Sequence, residues 1–136
     1  MSLLPEWFGI PEAVDAYVAA VDDLPLLIAR INGSEIIGFL SLRFHTEAAA
    51  EAYVLGVRPE WHRKGIGIRL FEAAGALARS RGCKYLTVKT LAAEHPDPHY
   101  RATRLFYEAI GFEPIEVLPT LWGPDNPCLL MLKRLD

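Results

Sequence analysis

Apolar residues recur along this chain with two different periods, and the changes of period divide it into elements. Val14, Tyr17, Val18 and Val21 fall at helical spacing behind Pro11, a residue tolerated in a first turn, so a helix is expected from Pro11 to about Asp22. The pattern then shortens. Leu26 to Ile31 is an apolar run, and Glu35 to Phe44 carries Ile36, Ile37, Phe39 and Leu40. Between them Asn32-Gly33, which accept positive φ, predict a hairpin turn. A polar, alanine-rich link from His45 to Ala50 precedes a third strand, about Glu51 to Val57, which Pro59 ends.

The longer period returns after a glycine-bearing loop. Leu70, Phe71, Ala74, Leu77 and Ala78 share one face of a helix expected from about Gly67 to Arg81, and Gly82 is a natural stop. Lys84 to Thr90 alternates around Tyr85, Leu86 and Val88 and predicts a strand. Ala92 to His99, with two prolines, is expected as a loop. A second helix follows from Tyr100 to Ile110, stopped by Gly111, and then strands Ile115 to Leu118 and Leu129 to Leu132 around the turn-rich Pro119 to Pro127. A strand–helix–strand step in one sheet predicts a parallel crossover, and the hairpins predict antiparallel pairs. The expectation is an α/β fold: a mixed sheet with helices on its faces.

Composition narrows the classes. A chain of 136 residues suits one domain, and 51% hydrophobic content suits a packed core. A net charge of -3 with no long basic run gives no footprint for nucleic acid. No apolar run approaches the roughly 18 residues that a membrane helix needs. Met1 to Glu6 does not read as a secretory leader, and Cys83 and Cys128 do not form a disulfide framework, so a cytoplasmic setting is expected.

The chemistry concentrates in Val57-Arg58-Pro59-Glu60-Trp61-His62-Arg63-Lys64-Gly65-Ile66-Gly67, between a strand and a helix. A helix start exposes unpaired N–H groups, which favour phosphate oxygens. Gly65 and Gly67 let backbone approach a ligand, and Arg63 and Lys64 add charge. Read alone, this is either a site for a phosphate-bearing ligand or a tight strand-to-helix turn. It ends neither as a Walker loop nor as a dinucleotide fingerprint.

His62-Arg63-Lys64-Gly65-Ile66-Gly67 resembles the acetyl-CoA motif of the GNAT N-acetyltransferases, with His62 where the family usually has Arg or Gln. Leu105-Phe106-Tyr107-Glu108-Ala109-Ile110-Gly111-Phe112 resembles a second block of that family, with Tyr100 and Thr103 where members often carry asparagine and alanine. The resemblance covers roughly Leu26 to Leu135. It implies a mostly antiparallel mixed sheet whose central parallel pair splays apart, with acetyl-CoA in the gap as co-substrate and no metal.

On that resemblance the amides of Arg63 to Gly67 hold the pyrophosphate, and pantetheine follows the strand from Tyr53 to Val57. A bulge near Leu55 and Gly56 presents N–H groups to the thioester carbonyl, Gly56 being alternatively a close-packing position. Tyr107 is the implied general acid. Glu51 is the implied general base, or else a solvated residue at a strand start. Trp7, Phe8 and Trp122 wall the acceptor pocket, or form a minicore that fixes the N-terminus. His45, His95 and His99 have no metal-ligand spacing and read as surface or loop histidines. Lys89 and Thr90 end a strand beside the glycine loop and border the cleft. The family also implies pairing of copies through the last strands. Acetyl transfer to an amine by direct attack is the expected activity. A non-catalytic acyl-CoA sensor and a binder of some other phosphate ligand stand as alternatives.

Overall fold

Seven strands hydrogen-bond into one sheet in the order β1-β2-β3-β4-β5-β7-β6. They are β1 Val14–Ala19, β2 Leu26–Ile31, β3 Glu35–Phe44, β4 Ala49–Val57, β5 Tyr85–Leu91, β6 Glu113–Leu118 and β7 Cys128–Arg134, with helices α1 Ile66–Ser80 and α2 Pro98–Ala109. The structure is a computed structural model that describes residues 14–19, 25–31, 35–92 and 98–135, with the backbone alone for 14–19, 98 and 99. Trp7, Phe8 and His95 lie outside the described residues, as do the turn residues Asn32 and Gly33.

The expected helix over Pro11 to Asp22 is corrected: Val14–Ala19 is a strand, paired antiparallel with β2 from Val14↔Ile31 to Ala19↔Leu26. Within this stretch Val14, Ala16 and Val18 also alternate, and valine and tyrosine favour extended backbone. The free edge of β2 supplies ladder partners, which local periodicity does not reveal. The loop expected through His99 is also corrected, since α2 begins at Pro98, where a missing N–H costs nothing. β6 begins at Glu113 and includes Pro114, tolerated because β6 is an edge strand.

α1 connects β4 to β5, the one parallel pair among the described residues. Its Leu70, Phe71, Ala74 and Ala78 are buried on Leu27 and Ala29 of β2, Leu40 and Leu42 of β3, Ala50 and Ala52 of β4, and Leu86 and Val88 of β5. Each fully buried leucine contributes about 1.5–3 kcal/mol. The helix stops where Gly82 takes φ 87°, with the Cys83 N–H donating to Ala78 O at 3.0 Å.

β4 and β5 stay together only at their start. Their register runs Ala49↔Tyr85, Ala50↔Leu86, Glu51↔Thr87, and there it ends. From Ala52 to Val57 the β5-facing edge of β4 has no strand partner among the described residues. On its other edge β5 is paired by β7 along its whole length, from Tyr85↔Arg134 to Leu91↔Cys128. The fold therefore opens a V between its central strands, with Glu51 at the vertex.

Candidate functional site

The mouth of the V is the junction of β4 and α1. Arg58 fastens it to β3 twice, its N–H donating to Ile37 O at 2.8 Å and its Nε to Ile36 O at 2.9 Å. Residues Pro59–Trp61 make one 3-10 turn. His62 Nε2 donates to Val57 O at 2.8 Å, so the imidazole braces the loop against the end of β4. A carbonyl only accepts, which fixes the donor on that ring nitrogen.

Beyond it Arg63 (φ 63°) and Gly65 (φ 81°) both adopt left-handed backbone. Gly65 takes this at no steric cost, whereas Arg63 is strained by about 1–2 kcal/mol. Gly65 caps α1, and no side chain caps this end among the described residues. The first amide to find a helical acceptor is Arg69, on Gly65 O at 3.1 Å, so the N–H groups of Ile66, Gly67 and Ile68 point out unpaired by the helix. No acidic residue lies in the first turn to repel an anion. Ile66 anchors the turn, being buried beneath the sheet near Gly38. Arg63 and Lys64 are exposed beside it.

Two further glycines of the mouth, Gly56 and Gly67, are close-packed. A Cβ on Gly56 would lie 2.9 Å from the Phe39 ring, and one on Gly67 would lie 3.2 Å from Cζ of Phe106. The bulge expected near Leu55 and Gly56 is corrected. Those residues pair regularly with Leu40 and Phe39, and the register shifts at Ser41/Leu42, which face Val54 and Ala52 and leave Tyr53 as the extra residue. Free donors along β4 arise from the departure of β5 and not from a bulge at Leu55.

Glu51 is not a solvated strand start. Its side chain is 4% exposed, with Oε2 accepting from Lys89 Nζ at 2.9 Å and Oε1 lying 2.6 Å from His45 Nε2. His45, expected as a plain loop histidine, is thus a partner of the buried carboxylate, and no spacing in the sequence announced it. Arg43 is the register partner of Glu51 on β3 and lies over the Tyr53 ring at 4.1 Å. Cys128 on β7 is buried and free; burial pushes its thiol up, Lys89 opposes that, and Glu51 adds to it. A thiol so held is a poor nucleophile.

Tyr107 belongs to an aromatic cluster, with ring centroids 5.8 Å from Phe71 and Phe106 and 5.7 Å from Phe112. Burial raises its phenol from 10.0 to about 12. Thr103 and Tyr100 lie one and two turns earlier on α2. Arg104 donates from Nη1 to Leu91 O at 2.9 Å and ties α2 to the end of β5. Trp122 is 43% exposed in the β6–β7 turn, where Asn126 Nδ2 meets its carbonyl at 3.5 Å. No cluster of metal-ligating side chains occurs among the described residues.

A cavity of about 280 Å³ lies away from this mouth, lined by Phe71, Gly75, Leu86 and Phe112 with Glu72 and Lys133 among its polar residues. It contains none of the loop amides nor Glu51, and an open groove between strands is poorly enclosed, so its enclosure is no argument for chemistry there.

Comparison with known proteins bears on the V and its mouth. The family model described as acetyltransferase (GNAT) domain matches residues 17–114. An uncharacterized N-acetyltransferase, YhfO of Bacillus subtilis (strain 168), is 40% identical over 93 residues. That match takes in 65% of this chain and 58% of YhfO, so the chain spans less than two thirds of that relative. A GNAT family acetyltransferase from Elizabethkingia anophelis with acetyl-CoA bound superposes with a TM-score of 0.75 at 15% identity, covering 92% of this chain and 100% of that one. An aminoglycoside 6'-N-acetyltransferase complexed with coenzyme A gives 0.70 at 21% identity, covering 85% and 74%. At these identities the two structures establish a common fold.

Proposed function

The chain belongs to the GNAT acetyltransferase family, and on that premise we propose that it moves the acetyl group of acetyl-CoA to an amine by direct attack in a ternary complex. The observation that carries the reading is the V between β4 and β5 with the uncapped start of α1 at its mouth. Amides from Arg63 to Gly67 hold the pyrophosphate, the helix end favouring its charge. Pantetheine lies along the unpartnered edge of β4 past Val57, Gly56 and Leu55, where N–H groups stabilise the developing oxyanion. The neighbours solved with coenzyme A or acetyl-CoA support this choice of co-substrate.

Glu51 takes the proton that the acceptor ammonium must lose before it attacks. Carbon–nitrogen bond formation then expels the thiolate. Tyr107 donates a hydrogen bond to the leaving sulfur. A phenol near 12 stays protonated through neutral pH, and since a thiol titrates at about 8.5, its share is donation to the sulfur more than complete proton transfer. Trp122 walls the acceptor. Ile115 and Val117 are exposed on β6, which supports pairing of copies along that edge. The whole operates as a single cytoplasmic domain.

Calorimetric titration with acetyl-CoA, followed by thiol release with spermidine, kanamycin and a lysine-containing peptide as acceptors, tests the reading. Binding with acceptor-dependent release of coenzyme A is expected. Tight binding without release from any of them would make the domain an acyl-CoA sensor.

A further inference from the structure

Glu51 already holds an ammonium. Lys89 lies on β5 two residues beyond Thr87, the last residue of the parallel ladder, so it forms part of the wall of the V just past the vertex. Its Nζ rests 2.9 Å from Glu51 Oε2, where the carboxylate would meet the ammonium of an incoming acceptor. Lys89 is 27% exposed, so its head is not sealed in, and a lysine stem has four rotatable carbons on which to swing. When Nζ leaves, Glu51 keeps a partner, because His45 Nε2 stays 2.6 Å from Oε1. The other charged and titratable groups around the carboxylate are Arg43 on β3 and Cys128 on β7. None of them is a competing primary amine.

We propose that Lys89 is a site of self-acetylation, in which the enzyme uses its own lysine as acceptor when no amine occupies the cleft. The inference rests on the reading that acetyl-CoA lies between β4 and β5. In the step, one Nζ–H proton passes to Glu51 Oε2, the freed amine attacks the thioester carbonyl, the Nζ–C bond forms, a second Nζ–H proton is released to water and the C–S bond breaks. The sulfur leaves as thiolate and is protonated, with Tyr107 or water as the source. Lysine ammonium and acetyl-CoA thus give acetyl-lysine, coenzyme A and one proton. The product carries no charge, so the buried Glu51 loses its cationic partner. Self-acetylation therefore removes the ion pair at the vertex and leaves an amide in the space meant for the acceptor.

The chain offers four lysines, Lys64, Lys84, Lys89 and Lys133, which makes the test internally controlled. The full chain is incubated with acetyl-CoA and no acceptor, and its peptides are followed by mass spectrometry. Lys89 should gain one acetyl group at least tenfold faster than exposed Lys64 and Lys84. Glu51→Gln should slow Lys89 at least tenfold and leave the background on Lys64 and Lys84 unchanged, and Lys89→Arg should lose the fast phase. Lys89 labelled no faster than Lys64, or equally fast in Glu51→Gln, overturns the proposal. Calorimetry on the same samples separates the two readings. Acetyl-CoA binding with an unmodified Lys89 removes self-acetylation alone, whereas no binding removes the acetyltransferase reading with it.

Discussion

Lys89 Nζ donates to Glu51 Oε2 at 2.9 Å across the point where β4 and β5 part. A carboxylate 4% exposed depends on such partners, because desolvating a charge costs several kcal/mol unless it is paired. Lys89→Met should therefore destabilise the fold by about 3 kcal/mol, leaving Glu51 with His45 alone. The double variant with Glu51→Gln should lose less than the sum of the single changes, since the two residues share one interaction. Urea denaturation of the four proteins reads this directly; additive losses would show that the pair is not coupled.

Tyr107 gives a pH signature. Folding raises its phenol from 10.0 to about 12, so the unfolded chain releases this proton first. The contribution of the neutral phenol is intact below pH 10 and is lost as pH climbs from there toward 12, at about 1.4 kcal/mol per pH unit. Tyr107→Phe should abolish that segment of the stability curve. The same variant should lower kcat about 100-fold while acetyl-CoA binding changes little. An unchanged kcat would leave Tyr107 as a member of the aromatic cluster only.

The backbone of the loop makes opposite predictions for neighbouring residues. Gly65→Ala forces a side chain into φ 81° and should cost about 1–2 kcal/mol while weakening acetyl-CoA at least tenfold. Arg63→Gly relieves φ 63° and should stabilise by about 0.5 kcal/mol, strain relief exceeding the entropy of a new glycine. Thermal melts and calorimetry separate stability from affinity in both.

At Gly56 the expectation concerns packing. Gly56→Ala brings a Cβ to 2.9 Å from the Phe39 ring and should destabilise by about 1–3 kcal/mol. Phe39→Leu in the same chain should recover part of the loss. If alanine at 56 is tolerated but acetyl-CoA binding falls, the glycine serves the ligand and not the ring.

Most strands and both long helices were legible because their periods agree with their final burial: Leu70, Phe71, Ala74 and Ala78 share a face in the sequence and in the core. The glycine loop was legible at Gly65, whose residue type admits φ 81°, but not at Arg63, whose φ of 63° no residue type announces. Val14–Ala19 was misread because six residues satisfy two periods, and only the edge of β2, distant in the reading, decides between them. His45 escaped notice because a contact to Glu51 depends on a tight return between β3 and β4, where the His45 N–H reaches Ala49 O. The misplaced bulge has a similar origin. Register is a property of two strands, and neither Tyr53 nor Ser41 carries it alone.

Gly67 and Phe106 stand almost forty residues apart, yet 3.2 Å is all that separates the missing Cβ of one from the ring of the other. Phe106 is the neighbour of Tyr107, so the cradle and the phenol are geared together through this contact. Any bulk added at residue 67 would press on α2 through Phe106. Under the proposed reading, tolerance at that position is governed by the alignment of Tyr107, and a variant altered there should still grip acetyl-CoA while turning over slowly.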